Sequence, residues 1–256
     1  VRAMPECQPN ECPACASGNT SSRGEAHRKC ERCGSVFRLA DQQLDTVYEQ
    51  AWSDGDSEFA TGSMTAQLAE QLASLVGDSL GGRRVLDYGA GEGALTRELV
   101  RRGADVVAFE PYGPDPGIEG ATWCGDIEKL EPASFEVVFL VEVIEHLQAP
   151  AVDLMLIRRL LRPDGEVLVT TPNASGLNAR LTRARWREEV NPTHLCLFTP
   201  NGLRLCAARA GFETSEVPGT VTYGHGRLRS IVGTLLQHLG LAGGLRYRLS
   251  QVASEE

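Results

Sequence analysis

The chain has 256 residues, 42% of them hydrophobic and 23% charged. Such a composition fills one good core and leaves room for an appendage rather than a second full domain. With 25 basic against 34 acidic side chains the formal net charge is −9, so there is no global basic field for binding nucleic acid by counterion release. The longest purely apolar run, Val137 to Val141, is far short of the roughly 20 residues of a membrane-spanning helix. The first residues lack the basic start and apolar stretch of a secretory signal, so a cytoplasmic protein without a membrane span is expected.

Five of the eight cysteines fall within the first 33 residues, a distribution that suggests a metal rather than a disulfide framework. Cys12-Pro-Ala-Cys15 and Cys30-Glu-Arg-Cys33 are separated by fourteen residues. Four soft thiolates in two short-spaced pairs suit tetrahedral Zn2+, whereas a redox pair needs only one Cys-x-x-Cys. Gly34, and Gly18 beyond the first pair, are expected to serve the tight knuckles. Cys7 is left over and reads as a free thiol. A ribbon over residues 1–40 is too small to fold by burial alone, so the metal supplies its folding energy. With every position filled by protein the zinc is structural.

Residues 41–64 read as a linker, with a polar stretch at Asp54-Gly-Asp-Ser and a helical pattern from Thr65 to Val76 after it. Strands and helices then alternate. Strands are expected at Arg84–Tyr88, Asp105–Glu110, Ala121–Cys124, Phe135–Val141 and Gly165–Thr171, the last after the turn Arg162-Pro-Asp-Gly165. Helices are expected at Ala94–Arg102 and Ala149–Leu161. This is an α/β pattern, a Rossmann-like, doubly wound, mostly parallel sheet over residues 65–216, with ligands at the carboxyl ends of its strands. Residues 173–191 form an insert, and residues 217–256 a C-terminal strand and an amphipathic helix. The helix rests on Leu228, Ile231, Leu235, Leu236 and Leu239 in the tail from His225, with packing or a homodimer as its favoured role.

The first strand end carries Asp87-Tyr-Gly89-Ala-Gly91-Glu-Gly93. Its glycines allow positive φ and close approach of a ligand. Gly89, Gly91 and Ala94 also satisfy the dinucleotide fingerprint. Asp87, however, lies where it would meet an ammonium group and repel a pyrophosphate. Glu110 can accept both hydroxyls of a ribose. Asp126 can accept from an adenine amino group, and Ile127 can pack on its ring. Together they describe an adenosine linked to an amino acid.

These segments, V-L-D-Y-G-A-G-E-G, F-E-P, G-D-I, F-E-V-V-F-L-V-E-V-I-E-H-L and L-R-P-D-G-E-V-L-V-T-T-P-N, resemble those of class I S-adenosylmethionine-dependent methyltransferases. The resemblance spans residues 65–216. It implies S-adenosyl-L-methionine as cofactor, bound by Asp87, Gly89, Ala90, Gly91, Gly93, Glu110, Pro111, Asp126, Ile127 and Val141. The four-cysteine ribbon and a linker helix around Asp45-Thr-Val-Tyr-Glu-Gln look like the zinc-ribbon methyltransferases of sugar, surface-polysaccharide and natural-product pathways. This implies a small-molecule acceptor.

Methyl transfer from a sulfonium is an in-line displacement that needs positioning and exclusion of water. A hydroxyl acceptor must also lose a proton, to a base or with the help of a divalent ion. A helical turn after strand four is expected to put Glu142, Glu145 and His146 on one face, with His194 folding over the same mouth. E-x-x-E-H with a later histidine is similar to the metal-dependent O-methyltransferases of ubiquinone biosynthesis and to small-RNA 3′-terminal 2′-O-methyltransferases. That similarity implies Mg2+ or Mn2+ at Glu142, Glu145, His146 and His194. Without a metal, His146 or His194 is the general base, since histidine titrates near neutral pH. His27, His225, His238, Trp52, Trp123 and Trp186 read as surface or packing residues. Arg180, Arg183, Arg185 and Arg187 form either a solvated face or a lid for an anionic acceptor. The expected function is O-methylation of a small-molecule hydroxyl. Two rivals stay open: a 2′-O RNA methyltransferase, disfavoured by the acidic total, and a non-catalytic scaffold, disfavoured by the intact cofactor residues.

Overall fold

The computed structural model describes residues 11–39, 66–76, 80–216 and 244–252. The polar stretch at 54–57, the linker helix at 45–50, Cys7, Trp52, His225, His238 and the tail leucines 228–239 lie outside them.

Three short antiparallel strands, β1 (Thr20–Arg23), β2 (His27–Cys30) and β3 (Val36–Arg38), make the ribbon. Its two knuckles repeat one pattern. Ala16 N–H donates to Cys12 O and Gly34 N–H to Cys30 O, both at 2.8 Å, and both residues are left-handed, with φ of 54° and 80°. The first knuckle therefore turns at Ala16, a residue with a Cβ, and not at the expected Gly18. The four thiols are buried, with Cys12 Sγ 3.6 Å from Cys33 Sγ and Cys15 Sγ 3.5 Å from Cys30 Sγ.

The main sheet begins after helix α1 (Ala66–Ser74). It comprises β4 (Arg84–Tyr88), β5 (Asp105–Phe109), β6 (Ala121–Cys124), β7 (Phe135–Val141), β8 (Leu161–Thr171), β10 (Phe212–Glu216) and β11 (Leu245–Gln251), in the order β10-β11-β8-β7-β4-β5-β6. Pairings from β6 to β8 are parallel, and β11 is antiparallel to both its neighbours. The expected turn at 162–165 is absorbed into β8. Phe135 pairs with Leu161 and Val137 with Glu166, so the residues between bulge without ending the strand. The tail contributes a strand at its end: Leu245, Tyr247 and Leu249 are buried, a period of two that fits a sheet.

Central parallel strands are apolar on both faces because both are covered. On one face Val85, Val106, Val137 and Phe139 pack with Ala69 and Leu72 of α1 and with Leu95 and Leu99 of α2 (Ala94–Arg101). On the other, Leu86, Val138, Leu140 and Val167 pack with α3 (Pro150–Leu160) and α6 (Pro200–Arg209). That second core continues into the ribbon through Phe37 and the four thiols.

The insert contains α4 (Leu177–Thr182), a 3-10 turn at Arg183–Arg185 and α5 (Arg187–Val190). After it, β9 (Cys196–Leu197) pairs with β3 as the fourth strand of the ribbon sheet. Thr199 then caps α6 by accepting from Gly202 N–H at 3.0 Å, and its hydroxyl donates to Cys33 O at 2.6 Å. A Cβ on Gly202 would lie 2.0 Å from Ser35 Oγ, so this helix touches the ribbon only because a glycine is there. No helix among the described residues is long and apolar enough to cross a membrane.

Candidate functional site

The crevice lies where strand order reverses, with β5 on one side of β4 and β7 on the other, so that the loops after β4 and β7 diverge. In the first loop Gly89, Gly91 and Gly93 have φ of 79°, 55° and 76°, values that cost a residue with a side chain roughly 1–2 kcal/mol. Position 89 is closed to a side chain for a second reason: its Cβ would lie 2.5 Å from Val143 Cγ2, across the crevice.

Two buried acids flank this loop, partnered by hydroxyl and amide donors. Asp87 accepts from Thr96 Oγ1 at 2.7 Å. Burial pushes its pKa up to about 6 against that bond, and the charge of Glu110 adds to the rise. Glu110 accepts from Gly91 N–H and Tyr112 N–H, each at 3.1 Å, and burial raises its pKa too. Ala90 is half-buried beside them, Pro111 is exposed, and Val141 is buried in the core on the α1 face. Asp126 is exposed and caps the turn at Ile127–Lys129 by accepting from Glu128 N–H at 3.1 Å, while Ile127 packs at the core margin.

The opposite wall departs from the expected helical turn. Glu142 has φ of 53°, which no right-handed helix accommodates, and a 3-10 turn covers only Ile144–His146. Glu142 is tied to β8, donating its N–H to Thr170 O and accepting from Thr170 Oγ1, both at 2.9 Å. Glu145 is 1% exposed and accepts from Thr171 Oγ1 at 2.9 Å. Burial, followed by the charge of Glu142, pushes its pKa well up.

His194 does fold over this turn, because Leu195 N–H donates to Glu145 O at 2.8 Å. The two imidazoles stand edge to face with centroids 4.6 Å apart. His146 Nδ1 is 3.0 Å from Thr193 O and His194 Nδ1 is 2.9 Å from Glu188 O, so each Nδ1 carries the proton and donates it. Asn191 Oδ1 accepts from Thr193 N–H and Oγ1–H, which leaves its Nδ2 to donate to His194 Nε2 at 3.2 Å. Burial, and for His146 the neighbouring imidazole, push the pKa values down to about 3 for His146 and about 4 for His194. Both are therefore neutral bases at neutral pH and do not titrate there as expected. One ligand atom from each of Glu145, His146 and His194 lies within 4.8 Å of the others, and Glu142 stands outside this group. The wall thus offers uncharged ring nitrogens and a carboxyl group whose pKa burial raises.

A family profile described as a methyltransferase domain matches residues 61–217. The chain belongs to the class I S-adenosylmethionine-dependent methyltransferases. Curated relatives include ubiquinone biosynthesis O-methyltransferases, from Azorhizobium caulinodans at 30% identity over 56% of this chain and 63% of that protein, and from Hahella chejuensis at 28% over 62% and 78%. One from Xylella fastidiosa is 35% identical but covered over only 44% of its length. Across several of these curated relatives the chain spans about half their length. Among solved structures, the Burkholderia thailandensis 1,6-didemethyltoxoflavin-N1-methyltransferase, which holds S-adenosylhomocysteine, superposes with a TM-score of 0.59 at 17% identity, covering 90% of this chain and all of that one. A possible histamine N-methyltransferase from Thermotoga maritima gives 0.56 at 17%, over 82% of this chain and all of its own. At such identity the structural likeness concerns the fold.

Several residues in or around the site were not singled out from sequence. Thr170 and Thr171 carry a signal, as polar residues ending an apolar strand at the ligand edge. Asn191 does too, one turn before His194. Thr96 lies in the first turn of α2, and Glu188 is one of two adjacent acids in α5. Arg23 carried none: it binds the 2%-exposed Glu189 through two bonds of 2.7 and 2.8 Å, across 166 positions of chain. Trp186 packs with Val36 and Leu197, so its packing role stands. His27 is half-buried in β2 and Trp123 in β6. The four arginines of the insert are exposed, and Arg183 is left-handed at φ 49°.

Proposed function

We propose that this protein transfers the methyl group of S-adenosyl-L-methionine to a hydroxyl oxygen of a small molecule, a sugar, polysaccharide or natural-product intermediate. One observation carries the reading: a glycine loop with two buried acids faces, across a single crevice, a wall holding two neutral imidazoles and a buried carboxyl group. Asp87 lies within reach of the cofactor's ammonium group, and Glu110 is placed for its ribose. Where no ion is bound, the acceptor's proton passes to Nε2 of His146, the ring's proton-accepting atom once Nδ1 is committed to Thr193 O. Buried walls exclude water from the transfer.

Two metals fit the donor sets. A tetrahedral zinc with Zn–S near 2.3 Å needs sulfurs about 3.8 Å apart, close to the 3.6 and 3.5 Å between the thiol pairs. Glu145, His146 and His194 would hold a Mg2+ or Mn2+ ion, and an acid raised by burial beside a second carboxylate suits a site that gains a cation. Bound there, the ion lowers the pKa of an acceptor hydroxyl. His194 Nε2 would then exchange its Asn191 bond for the ion.

The test is S-adenosylhomocysteine formation, followed by mass spectrometry, with catechol and vicinal-diol acceptors. Oxygen-methylated product is expected, and His146→Ala should lower kcat by about 10²–10⁴ while leaving S-adenosylhomocysteine affinity intact. Failure of wild-type protein to bind S-adenosylhomocysteine would overturn the reading in favour of a scaffold. Anomalous diffraction from crystals grown with manganese tests the second ion.

A further inference from the structure

The histidine wall of the methyltransferase domain is held together from the ribbon. Both ring nitrogens of His194 are engaged by α5 and the residue after it, Nδ1 by Glu188 O and Nε2 by Asn191 Nδ2. The Glu188 carbonyl is available because it lies in the last turn of a four-residue helix, where carbonyls have no intrahelical partner. So short a helix has little stability of its own. What fixes it is external. Trp186, at its start, is buried against Val36 and Leu197 of the ribbon sheet, and Glu189 is gripped by both arms of Arg23 from β1. A second tie runs through the backbone: Arg38 N–H donates to Leu195 O at 2.9 Å, and Leu195 N–H donates to Glu145 O. One strand thus links the ribbon to the residues that follow His194 and precede His146.

We propose that the ribbon is a positioning element for the histidine pair, and that Arg23, through Glu189 and the Glu188 carbonyl, locks His194 in its Nδ1–H tautomer. Arg23 touches neither cofactor nor acceptor in this scheme and acts only through α5. Its guanidinium fork makes two parallel bonds that lysine cannot reproduce, so orientation as well as charge is supplied. The catalytic consequence rests on the reading of His146 and His194 as the proton-handling wall, whereas the tautomer itself does not.

The experiment uses the whole 256-residue chain with 15N-labelled histidine, comparing wild type with Arg23→Met, Arg23→Lys and Glu189→Gln. Ring 15N–1H correlation spectra report which nitrogen of His194 carries the proton. In wild type a single, slowly exchanging Nδ1–H signal is expected. In Arg23→Met and Glu189→Gln it should be lost to tautomer averaging, and Arg23→Lys should restore part of it. In the same variants kcat should fall roughly 10- to 100-fold through misplacement of the ring, with less than about a twofold change in acceptor KM or S-adenosylhomocysteine affinity, as expected for an interaction that serves the transition state. An unchanged His194 Nδ1–H signal in folded Glu189→Gln overturns the inference, even if Arg23→Met fails to fold. A signal that moves as expected in a protein without transfer to any hydroxyl would sustain the positioning role and sink the catalytic reading, so the two failures are separable.

Discussion

The two walls of the crevice are built on different principles. The residues proposed to hold the cofactor, Val141 apart, come from consecutive βα units between Asp87 and Ile127, and their partners, Thr96, Gly91 and Tyr112, lie within the same stretch. The histidine wall draws on the end of β7, the end of β8, the insert and β9, and it leans on the ribbon through bonds that cross some 160 positions of chain. Local construction makes the first wall robust to changes elsewhere. Long-range construction makes the second depend on whatever holds the ribbon in place.

The strongest way to break this contrast is to remove the zinc proposed for the ribbon. In zinc-finger peptides, structural zinc contributes an apparent ~10–16 kcal/mol, comparable to the whole stability of a domain. Because the ribbon core is continuous with that of the α3–α6 face, Cys30→Ser with Cys33→Ser should melt in one calorimetric transition. Its midpoint should fall by well over 10 °C, at about 2–4 °C per kcal/mol. A separate early transition for the ribbon would show the walls to be independent units.

A second measurement sharpens the account of the cofactor wall. The carboxyl of Asp87 is raised from 3.8 to about 6 in the folded state, so its ionisation opposes folding. That cost is fully present above pH 6 and vanishes as pH falls below 3.8. Two pKa units correspond to about 3 kcal/mol. Asp87→Asn should therefore stabilise the ligand-free protein by up to that amount in urea melts at pH 7.5, gain little at pH 4, and bind S-adenosylhomocysteine more weakly. Wild-type affinity should itself weaken as pH drops through 6 and the carboxylate that meets the ammonium group is lost. Stabilisation that persists at pH 4 would rule out this electrostatic origin.

The smallest effect compares the two knuckles. Ala16 and Gly34 hold the same left-handed position, and a side chain there costs roughly 1–2 kcal/mol, partly offset by the greater chain entropy of glycine. Ala16→Gly should gain about 0.5–1 kcal/mol and Gly34→Ala should lose about as much or more, since the added methyl would meet Thr199 Cγ2 at 3.3 Å. Equal and opposite shifts in thermal midpoint would mark the knuckles as equivalent; no gain at Ala16 would mean that strain there is already relieved.

The same contrast explains how much was legible in the sequence. Strands β4, β6 and β7 fall on their expected bounds because each is an apolar run closed by turn residues. The four thiols and the acids Asp87 and Glu110 could be found by spacing alone. The geometry of Glu142 could not, because its left-handed turn is set by Thr170 on the neighbouring strand and not by its own residue type. Nor could the depressed pKa values of His146 and His194, which follow from burial beneath a segment folded back from the insert. The bounds of β11 could not be read either, because residues 245–251 follow a leucine-rich stretch of helical period, and only pairing with β8 and β10 places the strand.

That strand has a consequence for the order in which the molecule is made. Because β11 lies between β8 and β10, a growing chain that has reached Glu216 already carries every other strand of the sheet, with β10 still lacking the neighbour that joins it to the rest. The pairing of β8 with β11 can form only once residues 245–251 have been made. The last described strand to be synthesised is thus an interior one, and the described sheet cannot be complete before it is made.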